Sequence, residues 1–508
     1  MTTIAEGEAA PPATPTSATP ADTTGTSAVP AGSPAPVSAV APALPRRQLT
    51  GIIGALALGA FLMILNETVL TVALPSIMAD YGVSAAAGQW LTTGFLLTMA
   101  VVIPITGFLL QRFPMRALFV FALGSFLAGT LLAIVAPVFG VLLAARVLQA
   151  VGTAIVMPLL MSTTLTLVPL RHRGTVMGLN SIVIAVGPAI GPTVSGIVVN
   201  SLSWHWIFVG MTPLPVLILV LGIVFIKIPS ATRRVPLDVP SVVLSVLAFG
   251  GLVYAISIFG DVLTEPVLPL AGAAIGLVSL AAFVARQIGL ARTGGELLNL
   301  QPFANRTFSL SVAMIMIAMG TLLGTVVILP IFLQNGSGLS TLTIGMMLLP
   351  GGLVQVAVGP IFGRVFDRHG PRPVLIPGAL MLALGQWLFT TIHPDTALGL
   401  IVAFHTVFCI GLAMLMTGLL SAALSDVPQR LYGHGSAIFN TAQQLGGAIG
   451  TTIFVTVMST VALGRTDGGA PLVDGLFEGA HIAFLVGGVL ATIAVVCSLF
   501  VIRAPQRH

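Results

Sequence analysis

One acid and one base are placed where a membrane-spanning helix would bury them. Glu67 and Arg146 each lie well inside a long apolar stretch of the chain. A charge at bilayer depth costs at least about 2.5 kcal/mol, so a charge that is kept there is a functional candidate. A carboxyl group at that depth can take up a proton from one side and release it to the other. The sequence therefore predicts a proton carrier at Glu67, with a permanent Glu67–Arg146 ion pair as the structural alternative.

Other polar side chains accompany this pair. Thr71 lies one helical turn beyond Glu67 on the same face, Asn66 is its neighbour, and Gln149 lies three residues after Arg146. At a rise of 1.5 Å per residue, Glu67 and Arg146 lie within about one turn of the same depth. We expect one hydrogen-bonded cluster that also contacts substrate. Further candidates for substrate binding, with helix packing as the alternative, are Gln355, Gln386, His405, Asn440, Gln443 and Gln444.

The composition indicates that membrane helices position these side chains. Of 508 residues, 56% are hydrophobic and 7% are charged, and the mean hydropathy is +1.07. A soluble domain has about a quarter of its residues charged, so soluble enzymes, disulfide scaffolds and disordered chains are excluded. The 20 bases are spread too thinly to indicate nucleic-acid binding. With no His, Asp and Cys cluster at one depth, we expect no enzyme activity, metal or cofactor.

The length of the apolar runs predicts an all-α membrane protein of fourteen spanning helices, because each span needs about 20 residues. Residues 1–48, rich in Ala, Pro, Thr and Ser, are predicted to be a disordered cytoplasmic tail, and residues 504–508 a cytoplasmic C-terminus. The predicted helices lie near 51–77, 86–110, 115–136, 139–166, 173–200, 206–228, 239–259, 267–290, 307–334, 340–363, 373–392, 396–424, 433–462 and 480–503. An outer loop is expected at 463–479.

The bases predict the orientation of these helices. Cytoplasmic segments of membrane proteins carry an excess of Lys and Arg. If both ends of the chain are cytoplasmic, Arg465 falls outside and Arg146 falls within a helix, while the other 18 bases fall on the cytoplasmic side. The predicted location is a cell membrane, either a plasma membrane or a bacterial inner membrane, crossed many times.

Short motifs add a family resemblance. The stretch 65–75 (LNETVLTVALP) resembles Leu-Asp-x-Thr-x-x-Asn-x-Ala-Leu-Pro, with Asn66 where the acid usually stands. The stretch 146–152 (RVLQAVG) resembles Arg-x-x-Gln-Gly-x-Gly, and 187–192 (GPAIGP) resembles Gly-Pro-x-x-Gly-Gly. Two stretches about 256 positions apart, 107–116 (GFLLQRFPMR) and 363–372 (GRVFDRHGPR), resemble Gly-x-Leu-x-Asp-Arg-x-Gly-Arg-Arg, and the second keeps the motif better than the first. Over 49–503 the chain resembles the major facilitator superfamily, in particular fourteen-helix drug/proton antiporters of the lincomycin-resistance type.

This resemblance implies the major facilitator fold, with two six-helix bundles at 49–228 and 307–503. The linker 229–306 would add two further transmembrane helices. It implies that Arg146 takes part in proton coupling, and that Asp–Arg contacts and helix ends form a cytoplasmic latch. The first copy has Gln111 at the position of the acid, which the second copy keeps as Asp367. The gating residues that it implies are Gly187, Pro188, Gly191, Pro192, Gly107, Arg112, Gly363, Asp367 and Arg368.

The resulting hypothesis is a proton-coupled exporter of amphipathic drugs or other lipophilic small molecules that works by alternating access. Its expected partners are a small-molecule substrate, protons and the lipid bilayer, with no nucleic acid, and the expected assembly is a monomer. One alternative is an exporter of a dedicated physiological cargo, such as a lipid, a metabolite or an amino acid. A membrane protein without transport activity is the other.

Overall fold

The computed structural model describes residues 45–83, 85–227, 238–259, 266–292, 295–337, 339, 341–393, 396–469 and 471–501. Within these ranges every regular element is a helix. Most of the predicted N-terminal tail (residues 1–44) and the predicted C-terminus at 504–508 lie outside the described residues. The first helix begins at Arg46, just before the tail was expected to end.

All fourteen predicted helices have a counterpart. The sixth span consists of two consecutive helices, because Pro213 follows Thr212 directly and has no backbone N–H to continue the ladder. In chain order the helices are α1 (Arg46–Tyr81), α2 (Ala85–Arg112), α3 (Met115–Ile134), α4 (Phe139–Leu167), α5 (Arg173–Ser201), α6 (His205–Met211), α7 (Pro213–Phe225), α8 (Val239–Ser257), α9 (Val267–Leu290), α10 (Arg306–Ser337), α11 (Thr341–His369), α12 (Arg372–Phe389), α13 (Leu398–Ala423), α14 (Tyr432–Asp467) and α15 (Leu472–Leu499).

These helices have the length and composition of membrane spans. Thirteen segments of the described chain are long and apolar enough to cross a bilayer, with α6 and α7 together forming one of them. The remaining predicted span is α5, a helix of 29 residues. The prediction of an all-α membrane protein is confirmed.

The structure corrects the predicted outer loop at 463–479. Helix α14 continues to Asp467 and α15 begins at Leu472, so most of that stretch is helical. An ion pair between Arg465 and Glu478 joins the two helix ends. Hydropathy detects only the part of a helix that lies in the apolar layer of the bilayer. The polar end of a helix that extends past that layer therefore looks like a loop in the sequence.

The helices pack in a pattern that repeats along the chain. In the first half α1 packs against α4, α5 and α7, and α3 packs against α4; in the second half α12 packs against α13 and α15, and α10 against α14. The two halves meet where α5 packs against α11 and where α2 packs against α14. Helices α8 and α9 pack closely against each other, and α8 also contacts α2 and α14. The bundle boundaries at 228 and 307 stay predictions.

Candidate functional site

A buried hydrogen-bonded network joins α1 and α4 at the predicted depth. The side-chain amide of Asn66 donates to Oε1 of Gln149 at 3.1 Å, and the same oxygen accepts from the Arg146 guanidinium at 2.9 Å. All three side chains are at most 1% exposed. Buried polar groups of this kind are stable because each has a partner. The structure thus brings together three of the predicted site residues.

Helices α2 and α3 complete the surroundings of Arg146. Its guanidinium lies 4.3 Å from the centre of the Phe95 ring, and its Nε donates to the Leu91 carbonyl at 3.4 Å. Gln149 donates in turn to Oγ1 of Thr130 at 3.0 Å. The sequence prediction did not include Leu91, Phe95 or Thr130. Thr130 carried a usable signal as a polar residue in an apolar helix, whereas Leu91 contributes only its backbone.

Glu67 stands beside this network and is not part of it. One residue along a helix corresponds to a turn of about 100°, so Asn66 faces Gln149 and Glu67 points elsewhere. Glu67 is half-buried and interacts electrostatically with Arg146. The ion pairs closer than 4 Å among the described residues do not include a Glu67–Arg146 pair. The carboxyl group is therefore not held by a direct salt bridge. The side chain of Thr71 lies outside the described part of the structure.

The glycines of the 187–192 motif lie where α5 crosses α1. Thr68 donates from its hydroxyl to the Gly187 carbonyl at 3.3 Å. A Cβ atom added at Gly187 would lie 2.7 Å from Cγ2 of Ile64, and one at Gly191 would meet the Thr68 side chain. Both positions therefore need glycine for the close approach of the helices, one turn from Glu67. The side chains of Pro188 and Pro192 are outside the described set.

Two polar candidates in the second half are packed between helices. Gln386 of α12 is fully buried and donates to Oγ1 of Thr325 in α10 at 2.8 Å. His405 of α13 is 7% exposed and lies 3.7 Å from the sulfur of Cys409, one turn away. A Cβ atom added at Gly351 of α11 would lie 2.8 Å from Cε1 of His405. Neither side chain joins the Asn66–Gln149–Arg146 network.

The polar residues of α14 and α11 differ in their environments. Asn440 donates to the Ser436 carbonyl of its own helix at 2.8 Å and is 5% exposed. Gln444 is half-buried and donates across to the sulfur of Met99 in α2 at 3.8 Å. Gln443 and Gln355 are half-buried. Of this set, Gln444 makes the contact that spans the two halves.

Helix α2 ends at Arg112, α11 ends just after Arg368, and α5 begins at Arg173, and we call this end of the bundle the base-rich end. There α11 supplies a cap for α5. The carboxylate of Asp367 accepts from the backbone N–H groups of Gly174 and Thr175 at 2.5 and 2.7 Å, and from the Thr175 hydroxyl at 2.7 Å. Helix α5 has no side-chain cap of its own. A negative charge is favourable at a helix N-terminus. This is the helix-end contact that the latch prediction included, whereas the hydrogen-bond and ion-pair partners of Asp367 among the described residues include no Arg. We name this contact the Asp367 cap.

The first copy of the repeated motif makes the corresponding contact with neutral groups. Gln111 stands at the position of Asp367, and its side-chain amide contacts the imidazole of His434 in α14. His434 is the third residue of α14, as Thr175 is the third residue of α5. His434 is 1% exposed, and a Cβ atom at Gly107 would lie 2.7 Å from its Nδ1. We name this contact the Gln111–His434 pair.

The remaining gating candidates divide between helix packing and the surface. Gly363 is buried, and a Cβ atom there would lie 3.0 Å from Cα of Thr175. Arg368 is exposed and Arg112 is half-buried at the end of α2. The motif glycines thus allow α5 and α11 to touch, while these two arginines lie at helix ends beside the contact.

Comparisons with known proteins agree with this architecture. The sequence profile of the Major Facilitator Superfamily matches residues 56–451. The MFS-type transporter YcnB of Bacillus subtilis is 39% identical over 456 residues, which cover 90% of this chain and 95% of that protein. The lincomycin resistance protein LmrB of Listeria monocytogenes is 36% identical over 458 residues, which cover 89% of this chain and 97% of its own.

Solved structures show the same fold at low sequence identity. The human organic anion transporter MFSD10 aligns with a TM-score of 0.64 at 14% identity, over 90% of this chain and 100% of that one. The proton:xylose symporter XylE, bound to a bromodeoxyglucose, aligns with a TM-score of 0.62 at 17% identity, over 90% and 96% of the two chains.

Proposed function

Because this chain belongs to the Major Facilitator Superfamily, it is a membrane transporter and not an enzyme, and we propose that it exports lipophilic small molecules in exchange for protons. Glu67 is the proton carrier, and Arg146 modulates its affinity for the proton. The proposal places the protein in a cell membrane as a monomer, with both ends of the chain in the cytoplasm. The observation that carries the proposal is that Glu67 is half-buried beside the hydrogen-bonded Asn66–Gln149–Arg146 network and forms no direct salt bridge with Arg146.

The arrangement around Arg146 favours a carrier over a fixed ion pair. Gln149, the Leu91 carbonyl and the Phe95 ring hold the guanidinium in place without a direct bond to the Glu67 carboxylate. Glu67 can therefore gain and lose a proton without the collapse of the network that positions α1 on α4.

Alternating access requires contacts that form at one end and break as the halves rock. The Asp367 cap and the Gln111–His434 pair both lie at the base-rich end and both join the two halves. We assign the structure to the state in which the cytoplasmic end is closed. Opening of that end would break both contacts, and the close glycine crossing of α1 and α5 would transmit the movement to Glu67.

The cargo class rests on the low charge content of the chain, 7% of its residues, and on the names of its relatives. Apolar surfaces with few charges discriminate weakly between substrates, which suits amphipathic or lipophilic compounds. Two relatives carry the names lincomycin resistance protein and multidrug resistance protein B homolog. Lincomycin is therefore the first compound to test, followed by chemically unrelated lipophilic cations.

The test uses purified protein in proteoliposomes with an imposed pH gradient and radiolabelled lincomycin. The wild type is expected to accumulate the drug against its gradient, and Glu67→Gln to lose at least about 90% of that accumulation. Asp474→Asn is the matched control, because Asp474 is an exposed acid in α15. Accumulation that survives in Glu67→Gln would contradict the carrier assignment. A single transported compound among many would support the dedicated-cargo alternative.

A further inference from the structure

A cavity of about 780 Å³ opens at the base-rich end of the bundle, beside the last turns of α9. It lies between α9 and the segment that leads into α10. The apolar part of α9 ends at Leu290 and that of the next span begins at Arg306, so the cavity lies at the membrane surface. Helix α9 is a peripheral helix that packs against α8. Bilayer lipid therefore reaches the cavity from the side.

The lining of this cavity is amphipathic. Val284, Ile288, Leu300 and Phe303 form its apolar part, and Ile288 and Phe303 are 55% and 43% exposed. Arg292, Asn299, Gln287 and Gln301 form its polar part. Two other surface cavities, at α3–α7 and at α12–α15, have no charged residue in their lining. The α9 cavity thus combines an apolar wall with a cation at the depth of lipid headgroups.

Arg292 is free to bind a ligand. Arg286 is committed to Asp238, which accepts from its Nε and Nη2 at 2.7 and 2.8 Å. Among the described residues, the Arg292 guanidinium has no hydrogen-bond or ion-pair partner, and no acid lines the cavity. An anionic headgroup is the natural complement of an unpaired arginine at the membrane surface.

The polar wall is held in place by its own hydrogen bonds. Gln287 is 1% exposed and its Oε1 accepts from the backbone N–H groups of Leu297 and Leu298 at 2.8 and 3.1 Å. Asn299 donates to Glu296 at 2.7 Å and accepts the Gln301 backbone N–H at 2.8 Å. The segment after α9 is therefore braced against the helix, and the cavity is a built feature of the fold.

We infer that this cavity binds one anionic phospholipid, with the phosphate on Arg292 and an acyl chain along Ile288 and Phe303. The lipid would brace α9 and the segment before α10, which connects α8 and α9 to the helices that follow them in the chain. This inference is independent of the cargo and of proton coupling, since none of its residues belongs to the Glu67–Arg146 region.

The test is native mass spectrometry of the full-length protein with either dioleoylphosphatidylglycerol or dioleoylphosphatidylcholine. The wild type is expected to retain one phosphatidylglycerol at least about fivefold more tightly than phosphatidylcholine, and Arg292→Gln to lose that preference. Arg116→Gln is the matched control, because Arg116 is an exposed base at the same end of the bundle. The control is expected to keep the preference.

Two results would overturn the inference. One is equal binding of the two lipids by the wild type, and the other is an unchanged preference in Arg292→Gln. A second arm adds glycerol phosphate, which shares the headgroup but has no acyl chain. Displacement of the lipid by millimolar glycerol phosphate would identify a free phosphate site and contradict the lipid, whereas retention of the lipid supports it. A thermal-shift measurement with the same lipids checks that each variant is folded.

Discussion

The two contacts that close the base-rich end occupy equivalent places in the repeated halves and use different chemistry. The Asp367 cap sets a carboxylate against two backbone N–H groups and a hydroxyl at the start of α5. The Gln111–His434 pair sets an amide against an imidazole at the start of α14. A hydrogen bond to a charged group contributes about 1.5–3 kcal/mol, against about 0.5–1.5 kcal/mol for a neutral one. We propose that closure of this end depends on one strong and one weak contact.

The structure shows what takes the place of the missing acid in the first copy of the motif. The first copy of the motif has lost its acid, yet the place is not empty, because Gln111 keeps a hydrogen-bonding partner in His434. A transporter must release its closed end in every cycle, and two charged caps would make that release harder. We propose that the neutral pair sets the side that opens first.

The largest effect is expected from Asp367→Asn. The variant keeps one acceptor oxygen but loses the charge that stabilises the start of α5, so the closed population is expected to fall at least about tenfold. Spin labels at Arg171 and His369, both exposed, report the closure by electron–electron distance measurements. An unchanged distance distribution in the variant would refute the cap as the stronger contact.

A smaller effect in the opposite direction is expected when the weak contact is converted to the strong one. The double variant Gln111→Asp, His434→Thr copies the Asp367 cap at α14 and is expected to raise the closed population about fivefold and slow turnover. Labels at Arg116 and Arg430, both exposed, report this side. If the double variant instead lowers the closed population, the Gln111–His434 pair and the Asp367 cap do not have equivalent roles in the two halves.

Removal of the neutral pair should matter less than removal of the cap. Gln111→Leu deletes one neutral hydrogen bond, and the closed population is expected to fall about two- to fivefold by the same labels at Arg116 and Arg430. The quantity to compare is the fall in closed population in Gln111→Leu against the fall in Asp367→Asn. A fall as large as that of Asp367→Asn would abolish the proposed asymmetry.

The smallest effect is expected from a cap that does not join the halves. Asp238 accepts the Ser241 backbone N–H at 3.2 Å at the start of α8, and its pKa is lowered to about 2, mainly by the hydrogen bond from Arg286. A lowered pKa means that the stabilisation is complete above about pH 4 and is lost as the pH falls toward 2.

Asp238→Asn is therefore expected to lower the melting temperature by at most about 2 °C at pH 7, with no change in either distance distribution. The same melting temperatures, measured between pH 5 and 8, should differ between wild type and variant by a constant amount. A gating change in Asp238→Asn would mean that capping charge in general, and not its position between the halves, controls closure.

The sequence predicted the depth of the site better than its geometry. Apolar length and the rise per residue placed Asn66, Gln149 and Arg146 close together, and the structure joins them. The ion pair that was the alternative reading of Glu67 is not formed, because the neighbouring Asn66 takes the face toward Gln149. The Leu91 carbonyl and the Phe95 ring could not be predicted, since a backbone oxygen and an apolar ring carry no polar signal.

At the base-rich end of the helices, too, the sequence identified a functional side chain but not its backbone partners. The repeat identified Asp367 and the loss of the acid at Gln111, but two of the three groups that donate to Asp367 are backbone N–H groups of α5, which no side-chain pattern reveals. The outer loop at 463–479 was mispredicted for a related reason. A helix that continues past the bilayer looks polar, and hydropathy cannot distinguish it from a loop.

The most direct test of proton coupling separates transport from its energy source. In proteoliposomes without a pH gradient, Glu67→Gln should still exchange internal labelled lincomycin for external unlabelled lincomycin at a rate close to wild type. With a gradient it should fail to accumulate the drug. If Glu67 is a proton carrier, exchange should survive and accumulation should be lost, because the neutral amide mimics the protonated acid and still allows the halves to rock. Loss of both exchange and accumulation in a folded variant would assign Glu67 a structural role and contradict the account.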